Sequence, residues 1–129
     1  MNAADAPDSS GRELEPVADG LYTLHIEMSG AKQGNATGVV VLHEGRIMGG
    51  DSFFYYTGSY SQGRGKWRGD MVVNQHTDAP GLNLVFGGRE VTCGFSGSYS
   101  ADGAQVRGTA LVGKTSVLFR ARLQFQSEF

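Results

Sequence analysis

The sequence predicts an all-β protein, a single small antiparallel meander β-barrel of about eight strands. Three observations carry that prediction. Short segments alternating apolar with polar residues run from Gly20 onward. Glycine supplies 20 of the 129 residues against three prolines, without a collagen-like period of three, so turns and bends are many. An internal repeat places glycines at matching positions of two hairpins. A chain of this length can bury one hydrophobic core without disulfides or a structural metal, so one domain is expected.

Residues 1 to 18 hold Ala, Asp, Ser, Gly and two of the three prolines, with almost no large apolar group. They cannot repay the entropy of ordering, and a disordered acidic N-terminal tail is expected there, with the barrel domain spanning 19 to 129. In the first strand Tyr22, Leu24, Ile26 and Met28 alternate with Leu21, Thr23, His25 and Glu27. Further strands are placed at 37–43, 46–49, 52–61, 66–76, 82–86, 90–99, 104–112 and 115–126, separated by Gly, Ser, Asn and Asp. The last is the clearest: Val117, Phe119, Ala121, Leu123 and Phe125 share one face, and Arg120, Arg122, Gln124 and Gln126 the other. No segment has the pattern of a helix.

Displacing the chain by 39 residues aligns Tyr56-Thr57-Gly58-Ser59-Tyr60-Ser61 with Phe95-Ser96-Gly97-Ser98-Tyr99-Ser100, and then Arg68-Gly69 with Arg107-Gly108. Each copy reads as strand, turn, strand, with turns Gln62-Gly63-Arg64-Gly65 and Ala101-Asp102-Gly103-Ala104. The two-residue period puts Tyr56, Gly58, Tyr60, Trp67, Gly69, Met71 and Val73 on one face of the first copy. In the second it groups Phe95, Gly97, Tyr99, Val106, Gly108, Ala110 and Val112. Glycines within the apolar stripe let strands bend sharply, which is how a sheet curls closed.

An eight-stranded barrel is just wide enough to be filled by side chains or to hold one small ligand. Tyr22, Phe54, Tyr56, Tyr60, Trp67, Phe95, Tyr99 and Phe119 are the candidate lining of such a pocket, or else simply core. Cys93 shares the inward stripe and is expected to be a buried, inert thiol. Val72, Leu111 and Leu118, with Leu82, are apolar on outward phases and form a candidate subunit interface.

The order Gly20-Leu21-Tyr22, then Gly38-Val39-Val40-Val41-Leu42, then Gly45-Arg46-Ile47-Met48-Gly49-Gly50-Asp51-Ser52-Phe53-Phe54-Tyr55-Tyr56-Thr57-Gly58 and Tyr60 resembles the GrlR-type family of negative regulators of bacterial type III secretion. The resemblance covers roughly residues 20 to 60. It implies a lipocalin-like (calycin-like) eight-stranded barrel that forms a homodimer and sequesters a transcriptional activator protein. Founding members carry an exposed Glu-Asp-Glu-Asp run in the loop after the aromatic strand. Here that segment is Ser61-Gln62-Gly63-Arg64-Gly65-Lys66, without an acid, so a different partner is expected.

Catalysis is not expected. His25, His43 and His76 fall on polar phases without H-x-H or C-x-x-C spacing, which argues against a metal, and no G-x-S-x-G elbow precedes a helix. No cofactor is expected either. Gly49-Gly50-Asp51 could present a carboxylate, but between strands it reads more simply as a bend whose Asp bonds nearby amides. Gly63-Arg64-Gly65-Lys66-Trp67-Arg68 mixes bases with an aromatic, yet Trp67 belongs to the inward phase, so a nucleic-acid contact is not expected. Five of the 13 acids but one of the 11 bases lie in the first nineteen residues, and the mild positive balance of the remainder is too small to predict a polyanion. One cysteine, no basic-then-apolar leader and no apolar run of membrane-spanning length point to the cytoplasm.

Two functions remain in competition. The first is a non-enzymatic regulatory or adaptor protein acting through protein contacts on the outside of the barrel. The second is a carrier or sensor of a small apolar, lipid-like ligand inside it, which requires an internal void of about 300 Å3 or more.

Overall fold

The computed structural model describes residues 17–28, 34–78, 90–112 and 114–128. Among these residues eight strands follow in chain order: β1 Gly20–Met28, β2 Gly34–His43, β3 Arg46–Gly50, β4 Phe54–Gly63, β5 Lys66–Gln75, β6 Val91–Ser100, β7 Gly103–Val112 and β8 Thr115–Ser127. Each pairs antiparallel with the next, and β1 closes on β8, so the sheet is a closed meander barrel without a free edge. No helix occurs among the described residues. The predicted strand at 82–86 and the first sixteen residues of the expected tail lie outside the described residues, as does Leu82.

Two expectations are corrected. The tail was expected to run through residue 18, but Val17 is 2 % exposed and belongs to the core. Its backbone amide donates to Gln62 Oε1 at 2.5 Å, and the Ala18 carbonyl accepts the Tyr22 hydroxyl at 2.6 Å. The buried Val17 side chain holds this residue in place, and the Gln62 side chain near the end of β4 offers a partner for its backbone. The turns of both repeats are also tighter than expected: Gln62 and Gly63 remain paired with Trp67 and Lys66, and Gly103 and Ala104 with Ser100 and Tyr99, so that only Arg64-Gly65 and Ala101-Asp102 turn.

The Arg64-Gly65 turn and the turn at Glu44-Gly45 have both central residues in the left-handed region, with φ of 56° and 78° and of 48° and 80°. Two-residue hairpins of this kind match the right-handed twist of the strands they join, and glycine supplies the second position without steric cost.

The two-residue period governs burial throughout. Tyr22, Leu24, Ile26 and Met28 are buried on β1, and Phe119, Ala121 and Leu123 on β8, while Arg120 and Arg122 between them are exposed. The repeat glycines lie where predicted on the inward stripe. A Cβ at Gly58 would sit 2.2 Å from the Asp70 carbonyl oxygen, and one at its repeat equivalent, Gly97, 1.8 Å from that of Gln105. The neighbouring strand occupies the space a side chain would need, which is the local geometry of a strand bent into a barrel.

Candidate functional site

All eight aromatic residues proposed as a pocket lining point into the barrel. Six of them, Tyr22, Phe54, Tyr56, Tyr60, Trp67 and Phe119, are buried, while Phe95 and Tyr99 are half-buried and packed against the core. They fill the interior more than they line it. Among the described residues an apolar void inside the barrel measures about 40 Å3, and of the eight it touches Trp67, Phe95 and Phe119.

The aromatics are layered. Near the end that holds the Glu44-Gly45 and Arg64-Gly65 turns, the Tyr22 and Phe125 rings meet edge to face at 5.4 Å, and Trp67 is held edge-on between Tyr60 at 5.5 Å and Phe95 at 5.0 Å. Burial pushes the Tyr22 hydroxyl up to about 12, helped by the neighbouring Tyr60 and Asp19, and it raises Tyr60 as well. At the opposite end stands Tyr56, whose hydroxyl donates to Asp51 Oδ2. Burial is the main cause of its raised pKa, and the Asp51 carboxylate adds to it.

Asp51 therefore acts as a staple. Its Oδ1 accepts the Phe53 and Phe54 amides, both at 2.9 Å, and its own amide donates to the Phe54 carbonyl at 2.9 Å. Gly49 and Gly50 lie in β3 opposite Tyr56 and Tyr55. The bend at Asp51 explains why β4 begins at Phe54 rather than at residue 52: the carboxylate takes the two amides that a strand would have paired. His76 closes over the same bend, its Nε2 lying 3.0 Å from the Asp51 carbonyl oxygen. Asp51→Ala orphans three donors at once, and a cost of about 1.5–3 kcal/mol is expected in urea unfolding.

The three histidines are not brought together. His43 Nδ1 pairs with Asp19 at 3.1 Å beside the first hairpin turn, His76 caps the Asp51 bend, and His25 faces outward on β1. Among the described residues no group of three or more His, Cys, Asp or Glu is arranged to hold a metal ion. Cys93 is buried, and burial pushes its thiol from 9.0 up to about 11. At pH 9 Ellman's reagent should therefore label the unfolded chain promptly and the native one only at its unfolding rate. The same shifts set an alkaline limit. Neutral Cys93 and Tyr22 contribute stability that is fully present below pH 9 and is lost as the pH rises toward 11 to 12.

Outside the barrel, Val72, Leu111 and Leu118 all face away from the core. Leu111 is 51 % exposed and Leu118 65 %, whereas Val72 is half-buried. The register sets Val72, Thr92 and Leu111 in one row across β5, β6 and β7, with Leu118 in the adjacent row opposite Thr109. A second exposed apolar strip, formed by Val39, Met48 and Tyr55 on β2, β3 and β4, escaped the sequence reading. Its signal was present in the outward phases of those strands, but only pairing of Val39 with Gly50 and of Gly50 with Tyr55 brings the side chains together. No protein-family model matches the chain, and neither does any curated protein.

Proposed function

We propose that the chain is a non-enzymatic regulatory or adaptor protein that works through protein contacts on the outer surface of its barrel, as a homodimer in the cytoplasm. The closed eight-stranded barrel is the fold that the resemblance to the negative regulators implies, which supports the reading. The observation that carries it is the contrast between inside and outside. Among the described residues the void inside the barrel measures about 40 Å3, against the roughly 300 Å3 that a ligand pocket needs. Large apolar side chains instead stand exposed in two strips on the outside.

Native mass spectrometry of the protein purified directly from cells tests this. A dimer free of adducts is expected. An extra mass of a few hundred daltons lost on denaturation would transfer the function to a ligand carrier, and a monomer would remove the dimer from the proposal. Met48→Glu and Leu111→Glu then separate the two strips, because the one that forms the seam yields monomers while the other leaves the dimer intact.

A further inference from the structure

We infer that the outer face of β5 to β8 is a binding site for an extended acidic segment of a partner protein, an inference that rests on the adaptor reading and names the chemistry of its partner. Five cations project from this face: Lys66 and Arg68 on β5, Arg107 on β7, and Arg120 and Arg122 on β8, all exposed. The register gathers them into two neighbouring rows. One runs Arg68, Ser96, Arg107, Arg120, and the other Lys66, Ser98, Gln105, Arg122.

The strand between the cations carries only small groups. Ser96 and Ser98 are the outward residues of β6 here, so β6 is the floor of a trough whose walls, β5 and β7, stand two strand spacings apart, about 9.5 Å. Two shallow depressions of about 560 and 540 Å3 meet along Ser96, Gly97 and Ser98, the first extending over Arg107, Arg120 and Arg122 and the second over Lys66 and Arg68. An extended peptide laid along β6 would send alternate side chains toward one wall or the other, where cations wait on both sides. The serine hydroxyls on the floor can donate to the same carboxylates.

Among the described residues the charge on this face is poorly neutralised. Arg107 and Arg120 are directly opposed across β7 and β8, an arrangement of like charges that costs a sheet stability. Among the described residues the acid that approaches them is Glu27, 3.9 Å from Arg120, and the next row contributes Asp70. A carboxylate bound between the arginines would relieve the repulsion that the fold itself leaves in place. His25, in the row of Arg122, also lines the first depression. A nucleic-acid strand would satisfy the charge but not the rest of the site. Its bases need aromatic faces to stack on, and the aromatics of these strands, Trp67, Phe95, Tyr99, Phe119 and Phe125, are turned into the core or packed against it.

The test is fluorescence anisotropy of the full chain with a fluorescein-labelled glutamate-serine peptide, and in parallel with a labelled oligothymidylate of equal charge. The peptide is expected to bind with an affinity that falls as salt is added. The double variant Arg107→Glu/Arg122→Glu should bind it at least about tenfold more weakly, and Lys66→Ser/Arg68→Ser should also lose affinity, whereas Arg46→Glu on β3 should not. Melting temperatures within a few degrees of the wild type would confirm that the variants are folded, as expected for exposed side chains. Unchanged affinity in both double variants, equal loss in Arg46→Glu, or tighter binding of the oligothymidylate would each overturn the inference. An adduct-free dimer by mass spectrometry combined with no peptide binding would refute the acidic segment alone and leave the adaptor reading standing.

Discussion

Trp67→Ala is expected to lower the unfolding free energy by about 3–5 kcal/mol, while Arg68→Glu, one residue further along the same strand, should leave the melting temperature nearly unchanged. Trp67 is 3 % exposed and borders the residual cavity between the rings of Tyr60 and Phe95. Truncating it removes a large apolar surface and merges the vacated volume with the existing 40 Å3 void, which closed strands cannot collapse to fill. The indole Nε1 has no hydrogen-bond partner and is shut from solvent, so Trp67→Phe should cost much less than Trp67→Ala, since it keeps an aromatic ring and sheds an unpaired donor. Chemical denaturation of the three variants measures this directly. Equal losses at positions 67 and 68 would mean that the inward and outward phases of β5 are exchanged.

Gly97→Ala is the second large effect, expected to cost about 2–3 kcal/mol although it adds a single methyl group. The new Cβ would lie 1.8 Å from the Gln105 carbonyl oxygen and 2.8 Å from the Val106 Cα. Both are backbone atoms of β7, and no side-chain rotation can relieve the contact. The strands must separate, which breaks the β6 to β7 ladder or opens the barrel. Gly94→Ala, three residues earlier on β6, is the control, because its Cβ would meet nothing within 4 Å. That substitution should be neutral or stabilise by up to about 1 kcal/mol through the unfolded chain. Differential scanning calorimetry separates the two, and a Gly97→Ala variant as stable as Gly94→Ala would show that closure does not depend on the repeat glycines.

Much of the fold was legible because a strand with one buried face writes its period directly into the chain. Tyr22 to Met28 and Val117 to Phe125 announce their faces residue by residue, and the repeat at 56 to 73 and 95 to 112 fixes the phase of four strands together. The tail boundary was misread at Val17 because burial of an isolated valine depends on a distant partner, here Gln62, that local composition does not reveal. The turn at Arg64-Gly65 was read two residues too long because glycine at position 63 signals a turn as readily as it signals a strand end.

The candidate surfaces were less legible. The outward phase of Arg68, Arg120 and Arg122 could be read strand by strand, and the repeat already equates Arg68 with Arg107. What places these residues in neighbouring rows across four strands is the hydrogen-bond register, and it also gathers Val39, Met48 and Tyr55 into a strip. The sequence by itself determined the strand class, the inward and outward faces and the glycine bends, because these follow from a period of two and from the volume of single side chains. Only the tertiary structure decided how full the interior is and which exposed residues share a face, because packing volume and strand register arise from contacts between segments far apart in the chain.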